Sequence, residues 1–252
     1  MKRLARRYAG TLAVVAVAVL LFELATDVTG WLEPVLFPGL RLILPALWRS
    51  LPKLLEGLVS SVGLLLPGYA AALVLGIAMG LVVGWYAPLR HTLMPIFRAL
   101  SPLPPTLLIP YVIALLPTFW LSSFFIIFIG SFWPILMATI HGVVLVEDRY
   151  LDNARALGLS GARLLRLVIL PAALPVIFTG AGMALVFSFI LLTVAEMFGA
   201  RSGLGFFIQH NADFSEYAKV LGGMLFTSAF IVLVMAAFDG IQGRLLHWTA
   251  RR

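Results

Sequence analysis

The sequence predicts an all-α, polytopic membrane protein whose helices cross the bilayer six times. Hydrophobic residues make up 62% of the chain and charged residues only 12%, which lies outside the range of soluble globular proteins. The charged residues are also clustered, because none occurs within the stretches 57–89, 99–146, 167–195 and 220–238. A membrane helix needs about 20 apolar residues, so the longest of these stretches holds two spans.

The six predicted spans come from these stretches together with an apolar run near the N-terminus. The longest stretch folds back near Pro117 and Thr118. The first span could instead be a signal peptide, but no small-x-small cleavage site follows Phe22, which favours an uncleaved span. The predicted spans are Ala9–Ala25, Ser61–Tyr86, Ala99–Leu116, Leu121–Leu145, Ala172–Phe198 and Ala218–Gln242.

The distribution of Lys and Arg places both chain termini in the cytoplasm. With that orientation thirteen of the 18 basic residues lie inside and five outside, which is the usual bias of membrane proteins. The net charge of +7 therefore reflects topology, and nucleic acid is not expected as a partner. The chain has no cysteine, which excludes disulfides, thiolate metal sites and a cysteine nucleophile.

Three regions are expected along the chain. Residues 1–56 form the first span and an extracytoplasmic segment, residues 57–246 a core with a cytoplasmic loop at 147–170, and residues 247–252 a cytoplasmic tail. The leucine spacing within Asp27–Ser60 predicts an amphipathic helix that lies on the membrane and is broken or kinked at Pro45 and Pro52.

The loop at 147–170 contains the one polar island between apolar spans, and we expect it to contact another protein. Residues 152–158 suit a short helix parallel to the membrane, with a small apolar face formed by Ala154, Ala156 and Leu157. Gly158 suits the end of that helix, and Pro171 suits the first turn of the fifth span. The alternative is a solvated loop that only connects two spans.

Glycines at four-residue spacing lie on one face of the second span, at Gly76, Gly80 and Gly84. Small residues let a neighbouring helix approach closely in lipid. The seam packs either within one subunit or at a dimer interface or pathway.

Glu196 lies near the outer end of the fifth span, where a carboxylate is costly and a functional role is the default interpretation. Two roles stay open: a structural ion pair with Arg201, or a role in a pathway or gate.

Enzyme motifs are mostly absent. None of the three lysines follows a glycine, so there is no P-loop, and no His-Glu-x-x-His zinc motif occurs. Ser160 follows Gly158-Leu159 as in some intramembrane serine proteases, but it lies among charges with no histidine nearby. A secondary transporter or channel remains an alternative, although inverted repeats and charges deep in the spans are not evident. A membrane enzyme is a further alternative, and Glu196 and His141 at opposite faces argue against it.

The chain resembles the permease subunits of binding-protein-dependent ABC importers, in the branch that serves sulfonates, taurine and nitrate. The resemblance runs from about Leu58 to Gln242. It rests on the polar island with Leu170-Pro171, on Phe132-Trp133-Pro134-Ile135-Leu136, and on Ala195-Glu196-Met197 followed by Ser202-Gly203-Leu204-Gly205-Phe206.

The resemblance implies a type I importer permease that is not itself an enzyme. It implies a homodimer in the bacterial inner membrane, a cytoplasmic P-loop ATPase dimer that binds ATP and Mg²⁺, and an extracytoplasmic solute-binding protein. This chain would hold no cofactor. The implied pathway or gate residues are Glu196, Trp133, Thr139, Gly203 and Gly205. The implied ATPase-docking residues are Asp152, Asn153, Ala154, Arg155, Ala156, Leu157, Gly158, Arg163, Leu170 and Pro171.

The chain departs from the family pattern at three places. The docking loop reads Asp152-Asn153-Ala154 where the family has Glu-Ala-Ala, so the fit to an ATPase differs. Leu116-Pro117-Thr118-Phe119-Trp120 replaces Trp-Phe-Gly-x-Gly, and Ala138-Thr139 replaces Asn-Thr. The sequence therefore does not identify the transported solute.

Overall fold

The computed structural model describes the backbone of residues 2–248 and the side chains of that range other than 2–9, 11, 12 and 28. The described chain is mostly helical and contains no β-strand, which confirms the predicted all-α class. Its α-helices are α1 (Lys2–Glu23), α2 (Leu40–Trp85), α3 (Ala87–Leu100), α4 (Ile109–Leu115), α5 (Phe119–Val144), α6 (Asp148–Ala156), α7 (Gly161–Leu164), α8 (Leu170–Gly199), α9 (Leu204–Asp213) and α10 (Tyr217–Leu245).

Helix α5 lies at the centre of the bundle, between α2 and α8. Ile127, Ile135 and Leu136 of α5 are buried against residues of these neighbours such as Ala72 and Ala184. The outer faces of the bundle expose large apolar side chains instead, among them Val59 and Val74 on α2 and Val232 and Leu233 on α10. Apolar surfaces this extensive are typical of a bundle surrounded by lipid.

The predicted break in the Asp27–Ser60 segment is wrong. Helix α2 runs for 46 residues through Pro45 and Pro52, and also through Pro67, without interruption. Each proline removes one backbone hydrogen bond, but Pro45 and Pro52 lie on the exposed face while Ile43 and Leu54 are buried on the other. Packing of the buried face thus keeps the helix continuous, over about 69 Å.

The third predicted span, Ala99–Leu116, is not a single helix. Helix α3 already begins at Ala87, and a turn at residues 101–104 separates it from a short 3₁₀-helix, Pro105–Leu108, that leads into α4. The two parts are bent by 71° relative to each other. The prolines at positions 102, 104 and 105 explain the break, because none of them has the backbone N–H that a continuous helix would use as a hydrogen-bond donor.

The fifth predicted span begins earlier than expected. A continuous helix of 39 residues runs from Gly161 to Gly199, so its first turns form part of the 147–170 loop rather than following it at Ala172. This helix comprises α7, a π-helical turn at Leu165–Ile169, and α8. We call the end of the bundle that carries α6 the α6 end, and the opposite end, near Gly199, the far end.

Four helices of the described chain are long and apolar enough to cross a membrane: α2, α5, the helix 161–199, and α10. The bent pair of α3 and Pro105–Leu115 adds a fifth if it counts as one broken span. The first predicted span lies in α1, several of whose side chains fall outside the described ones, so the total of six stays a prediction. A multi-pass membrane protein is confirmed.

Candidate functional site

Helix α6 carries most of the residues that the sequence predicts to dock a partner. Its side chains at 152, 153, 155 and 156 are exposed, and the following Leu157 is 82% exposed. Arg155 pairs with Asp152 one turn earlier at 3.2 Å, which organises the charged face. A leucine exposed to that degree at the end of a helix gives the segment an apolar contact surface.

The end of α6 is a Schellman motif at Gly158. The Leu159 N–H donates to the Ala154 carbonyl at 3.0 Å, and the Gly158 N–H donates to the Arg155 carbonyl at 2.9 Å. Gly158 has a φ of +80°, a conformation that glycine adopts without the strain of a side chain. The backbone therefore reverses here and leaves Leu157 at the tip.

Ala154 does not share one apolar face with Ala156 and Leu157, as the sequence predicted. It is 5% exposed and packs into a cluster at the base of α8 with Val143, Leu164, Ile169 and Ala173. Ala156 and Leu157 do face outward. The helix thus presents one face to solvent and fixes the other, through a small residue, to the long helix 161–199.

A π-helical turn lies between the α6 region and Pro171. In that turn the Leu170 N–H reaches back five residues to the Leu165 carbonyl. Pro171 lacks an N–H, so a regular helix would leave the carbonyl four residues earlier without a partner, and a wider turn accommodates the proline ring. Arg163 is exposed, while Leu170 is half-buried and packs against the cluster that holds Ala154.

Glu196 is the most deeply buried carboxylate described, with 1% exposure, and it joins three helices at the far end. Ser61 Oγ on α2 donates to its Oε1 at 2.6 Å, and the Gly205 N–H at the start of α9 donates to its Oε2 at 2.7 Å. The Leu204 N–H in turn donates to Ser61 Oγ at 2.9 Å. Both carboxylate oxygens are therefore satisfied by neutral donors, as burial requires.

Of the two roles left open for Glu196, the structural ion pair with Arg201 is not formed in the described part of the chain. Among the described residues the ion pairs join Arg149 to Glu147, Arg155 to Asp152 and Lys219 to Glu216. Arg201 is exposed and lines a cavity instead. The guanidinium of Arg201 would have to lose its water shell to reach Glu196, which costs free energy. The donors of Ser61 and of the α9 backbone already lie inside the bundle.

The two glycines of the Ser202–Gly205 stretch lie against Glu196. Gly203 has a φ of +137°, and a Cβ there would overlap the Glu196 carboxyl group. A Cβ on Gly205 would overlap the Thr193 carbonyl oxygen and lie 3.0 Å from Glu196 Cβ. Glycine at these positions lets the chain turn over the carboxylate and start α9 in contact with it.

A cavity of about 870 Å³ opens beside this network at the far end, and we call it the far-end cavity. Gly203 and Asn211 form part of its wall. Cations outnumber anions on its lining, which carries Arg49, Lys53, Arg201 and Lys219 against Glu56 and Glu216. The cavity therefore favours anionic ligands or an acidic protein surface.

The remaining candidates for a pathway lie elsewhere in the bundle. Trp133 is half-buried and packs edge-on against Phe97 of α3, with ring centroids 5.9 Å apart. Thr139 is fully buried, donates to the Ile135 carbonyl at 2.7 Å, and faces Gly80. The structure thus brings Glu196, Gly203 and Gly205 together and places Trp133 and Thr139 apart from them.

The glycine seam of α2 lies against α5 of the same chain. A Cβ added to Gly76, Gly80 or Gly84 would fall 2.9 Å or less from Ile135, Thr139 or Val143, respectively. The spacing of four residues is matched by a spacing of four on α5, so the two backbones approach closely along their length. The seam therefore fixes the central helix pair.

Residues 72–251 match the family model described as the binding-protein-dependent transport system inner membrane component. That match covers more than half of the chain and includes α6, Glu196 and Gly205, while Ser61 lies before its first residue. The chain belongs to this family. The family resemblance identified from the polar island and the Glu196 stretch is confirmed.

Members of this family from several organisms align with the chain. It is 32% identical over 179 residues to the nitrate import permease protein NrtB of Leptolyngbya laminosa, covering 71% of this chain and 64% of that protein. It is 32% identical over 178 residues to the taurine transport system permease protein TauC of Escherichia coli, covering 71% of this chain and 65% of that protein. The aligned chain therefore spans slightly less than two thirds of either relative.

The fold is also that of a solved ABC transporter. The structure described as inward facing conformations of the MetNI methionine ABC transporter superposes with a TM-score of 0.64, covering 81% of this chain and 99% of that one. Sequence identity is 17%, so the similarity concerns the fold.

Ser61 is the site residue that sequence reasoning missed. It stands among apolar residues of α2, 135 positions before Glu196, and nothing in its local sequence distinguishes it from the neighbouring Ser60. The one available signal is that a buried carboxylate needs donors and that hydroxyls are scarce in the apolar stretch 57–89.

Proposed function

We propose that the chain is the permease subunit of an ATP-driven importer, and that it forms the translocation pathway as a homodimer. The observation that carries the proposal is α6, an exposed helix that ends in a positive-φ glycine and is packed through Ala154 onto the base of a membrane helix. Family membership and the similarity to MetNI support the same reading. Nitrate and taurine relatives suggest a small anionic or polar organic solute.

In this proposal a cytoplasmic P-loop ATPase dimer holds the two α6 helices. The exposed Leu157 enters a groove of the ATPase, and Asp152 and Arg155 make charge contacts at its rim. ATP and Mg²⁺ bind to the ATPase and not to the permease. Both chain termini and α6 then lie in the cytoplasm, and the permease lies in a bacterial inner membrane.

The long helix 161–199 connects the docking surface to the far end. It is about 58 Å long, begins beside Ala154 and reaches Glu196, which binds α2 through Ser61 and α9 through Gly205. A displacement of α6 therefore shifts the helices at the far end as a unit. The ATPase favours one state of the permease by contacting α6 differently in its two nucleotide states.

An extracytoplasmic binding protein would deliver the solute at the far end. The far-end cavity lies there, and its excess of cations over anions suits an anionic solute or an acidic docking surface. Gly203 connects the wall of the cavity directly to Glu196, so occupation of the cavity and the position of α8 are mechanically linked.

The proposal is tested by purifying the affinity-tagged permease from its native membranes in detergent and measuring ATP hydrolysis in the eluate. The wild type should carry a P-loop ATPase, identified by mass spectrometry, and hydrolyse ATP. A variant with Asp152→Lys and Gly158→Leu should lose both, while Gly240→Leu, at an exposed glycine with open space around it, should retain both.

Two outcomes would overturn the proposal. An eluate of wild type with no ATP hydrolysis would indicate a secondary transporter or channel. Retention of the ATPase by the Asp152→Lys, Gly158→Leu variant would show that α6 is only a connection between spans.

A further inference from the structure

A second cavity, of about 370 Å³, lies between α3 and α5 at the α6 end of the bundle. Its lining carries two arginines, Arg90 and Arg98, and two histidines, His91 and His141. Met94 and Ile140 contribute apolar wall. We call this cavity the basic pocket, and none of its residues takes part in α6 or in the Glu196 network.

The fold holds the basic pocket open. Phe97 packs edge-on against Trp133 and fixes α3 to α5 just beyond the pocket. Arg90, Met94 and Arg98 recur every four residues and so line one face of α3. Arg90 is half-buried, and one of its guanidinium nitrogens donates to the Gly84 carbonyl at the end of α2 at 2.5 Å. The rest of its donors remain available to a ligand.

No carboxylate of the neighbouring sequence balances these arginines. No Asp or Glu occurs from residue 57 to residue 146, a range that includes all of α3 and α5 and most of α2. The next acid, Glu147, is paired with Arg149 at 2.5 Å. Among the described residues neither Arg90, which is half-buried, nor Arg98, which is exposed, forms an ion pair with a carboxylate. An anion is the ligand that two such guanidinium groups favour.

The surroundings of the pocket resemble a membrane surface. Trp85 ends α2 and Tyr86 connects it to α3, and aromatic residues of this kind mark the level of lipid headgroups. Leu89, Ile96 and Leu100 of α3 expose 37–49% of their surface along another stripe of the same helix. If the anionic group of an amphiphile binds in the pocket, its apolar part can contact this exposed stripe of α3.

We propose that the basic pocket binds the phosphate group of an anionic phospholipid, with the acyl chains lying along the exposed apolar stripe of α3. Basic pockets between membrane helices on the cytoplasmic side are suited to phospholipid headgroups. Free inorganic phosphate has the same oxygen chemistry but cannot use the apolar stripe. Lipid binding here is independent of the proposed transport activity.

The test is native mass spectrometry of the purified permease titrated with dioleoyl phosphatidylglycerol. The wild type should bind one such lipid per chain more tightly than dioleoyl phosphatidylcholine. Arg90→Gln with Arg98→Gln should weaken binding about 25-fold, from about fivefold per arginine at a membrane surface. The matched control, Arg41→Gln with Arg244→Gln, removes two exposed arginines that do not line the pocket and should bind normally.

Arg90 also caps α2, so Arg98→Gln alone is the second variant, and it should weaken binding about fivefold without affecting the fold. Competition with inorganic phosphate separates the two sources of the anion. If inorganic phosphate at the same concentration displaces the lipid, the ligand of the pocket is a free anion and the proposal is overturned. Equal lipid binding by the wild type and both pocket variants would also overturn it.

Discussion

Ser61 on α2 and Glu196 on α8 are joined by a hydrogen bond of 2.6 Å across 135 residues of sequence. The same serine accepts the Leu204 N–H, so its hydroxyl is both donor and acceptor inside the bundle. The Gly205 N–H donates to the other carboxylate oxygen of Glu196, so the side chains of Ser61 and Glu196 connect α2, α8 and α9. The far end is therefore fixed by a small polar network rather than by apolar packing alone.

Replacing Ser61 with alanine should destabilise the far end. The substitution removes the donor to Glu196 and the acceptor for the Leu204 N–H, and each unsatisfied buried group costs about 1–3 kcal/mol. We expect a lower midpoint of unfolding in detergent, followed by intrinsic fluorescence. Ser60→Ala is the matched control, since Ser60 bonds the Ser202 hydroxyl at a more exposed position and should cost much less. Equal effects of the two substitutions would contradict the role of the network.

Glu196→Gln should lower stability while leaving ATPase association unchanged. The amide retains one acceptor oxygen, but its NH₂ group would face either the Ser61 hydroxyl or the Gly205 N–H, both of which donate in the native network. Because the residue lies at the opposite end of the bundle from α6, the proposed docking surface is untouched. The measurements are thermal unfolding and copurification of the ATPase. Loss of the ATPase from a folded Glu196→Gln variant would refute the placement of the two sites at opposite ends.

Helix α6 could be predicted because its determinants are local. A short polar segment followed by Gly158 predicts a helix with a glycine end, and the structure has a helix that ends in a Schellman motif there. Its orientation could not be predicted from the same residues. Which face is buried depends on the residues at the N-terminal end of α8 and just before it. Ala154 is buried because it packs against Leu164 and Ile169.

The long helix α2 and the partner of Glu196 could not be predicted, for a shared reason. The local rule for proline favours a break at Pro45 and Pro52, but burial of residues such as Leu54 on the opposite face outweighs two lost hydrogen bonds. The nearest charge in sequence to Glu196 is Arg201, but the donors that reach it come from another helix. Tertiary packing therefore determines both the continuity of α2 and the donors to Glu196.

Ala154→Leu and Ala156→Leu should have opposite effects on stability and on docking. Ala154 is buried between α6 and α8, so extra carbons overpack the cluster at a cost of about 1–3 kcal/mol. Ala156 is exposed on the outward face of α6, where the ATPase is proposed to bind, so its variant should unfold like the wild type but bind the ATPase less tightly. Thermal unfolding and copurification of the ATPase distinguish the two. Destabilisation by Ala156→Leu and none by Ala154→Leu would reverse the assignment of the faces.

Gly80→Ala should disrupt the seam between α2 and α5, although alanine is the better helix former. A Cβ at this position would lie 2.5 Å from Thr139 Cβ, and Thr139 is fully buried, so the helices must separate. Overpacking of this kind costs about 1–3 kcal/mol.

Gly63→Ala, on the same helix, meets no atom within 4 Å and should stabilise α2 by about 0.5–1 kcal/mol instead. The pair therefore predicts changes of opposite sign in the midpoint of unfolding. A stabilising Gly80→Ala would show that the close approach of α2 and α5 is not maintained in the folded protein. Such a result would also remove the rigid centre against which the helix 161–199 is proposed to move.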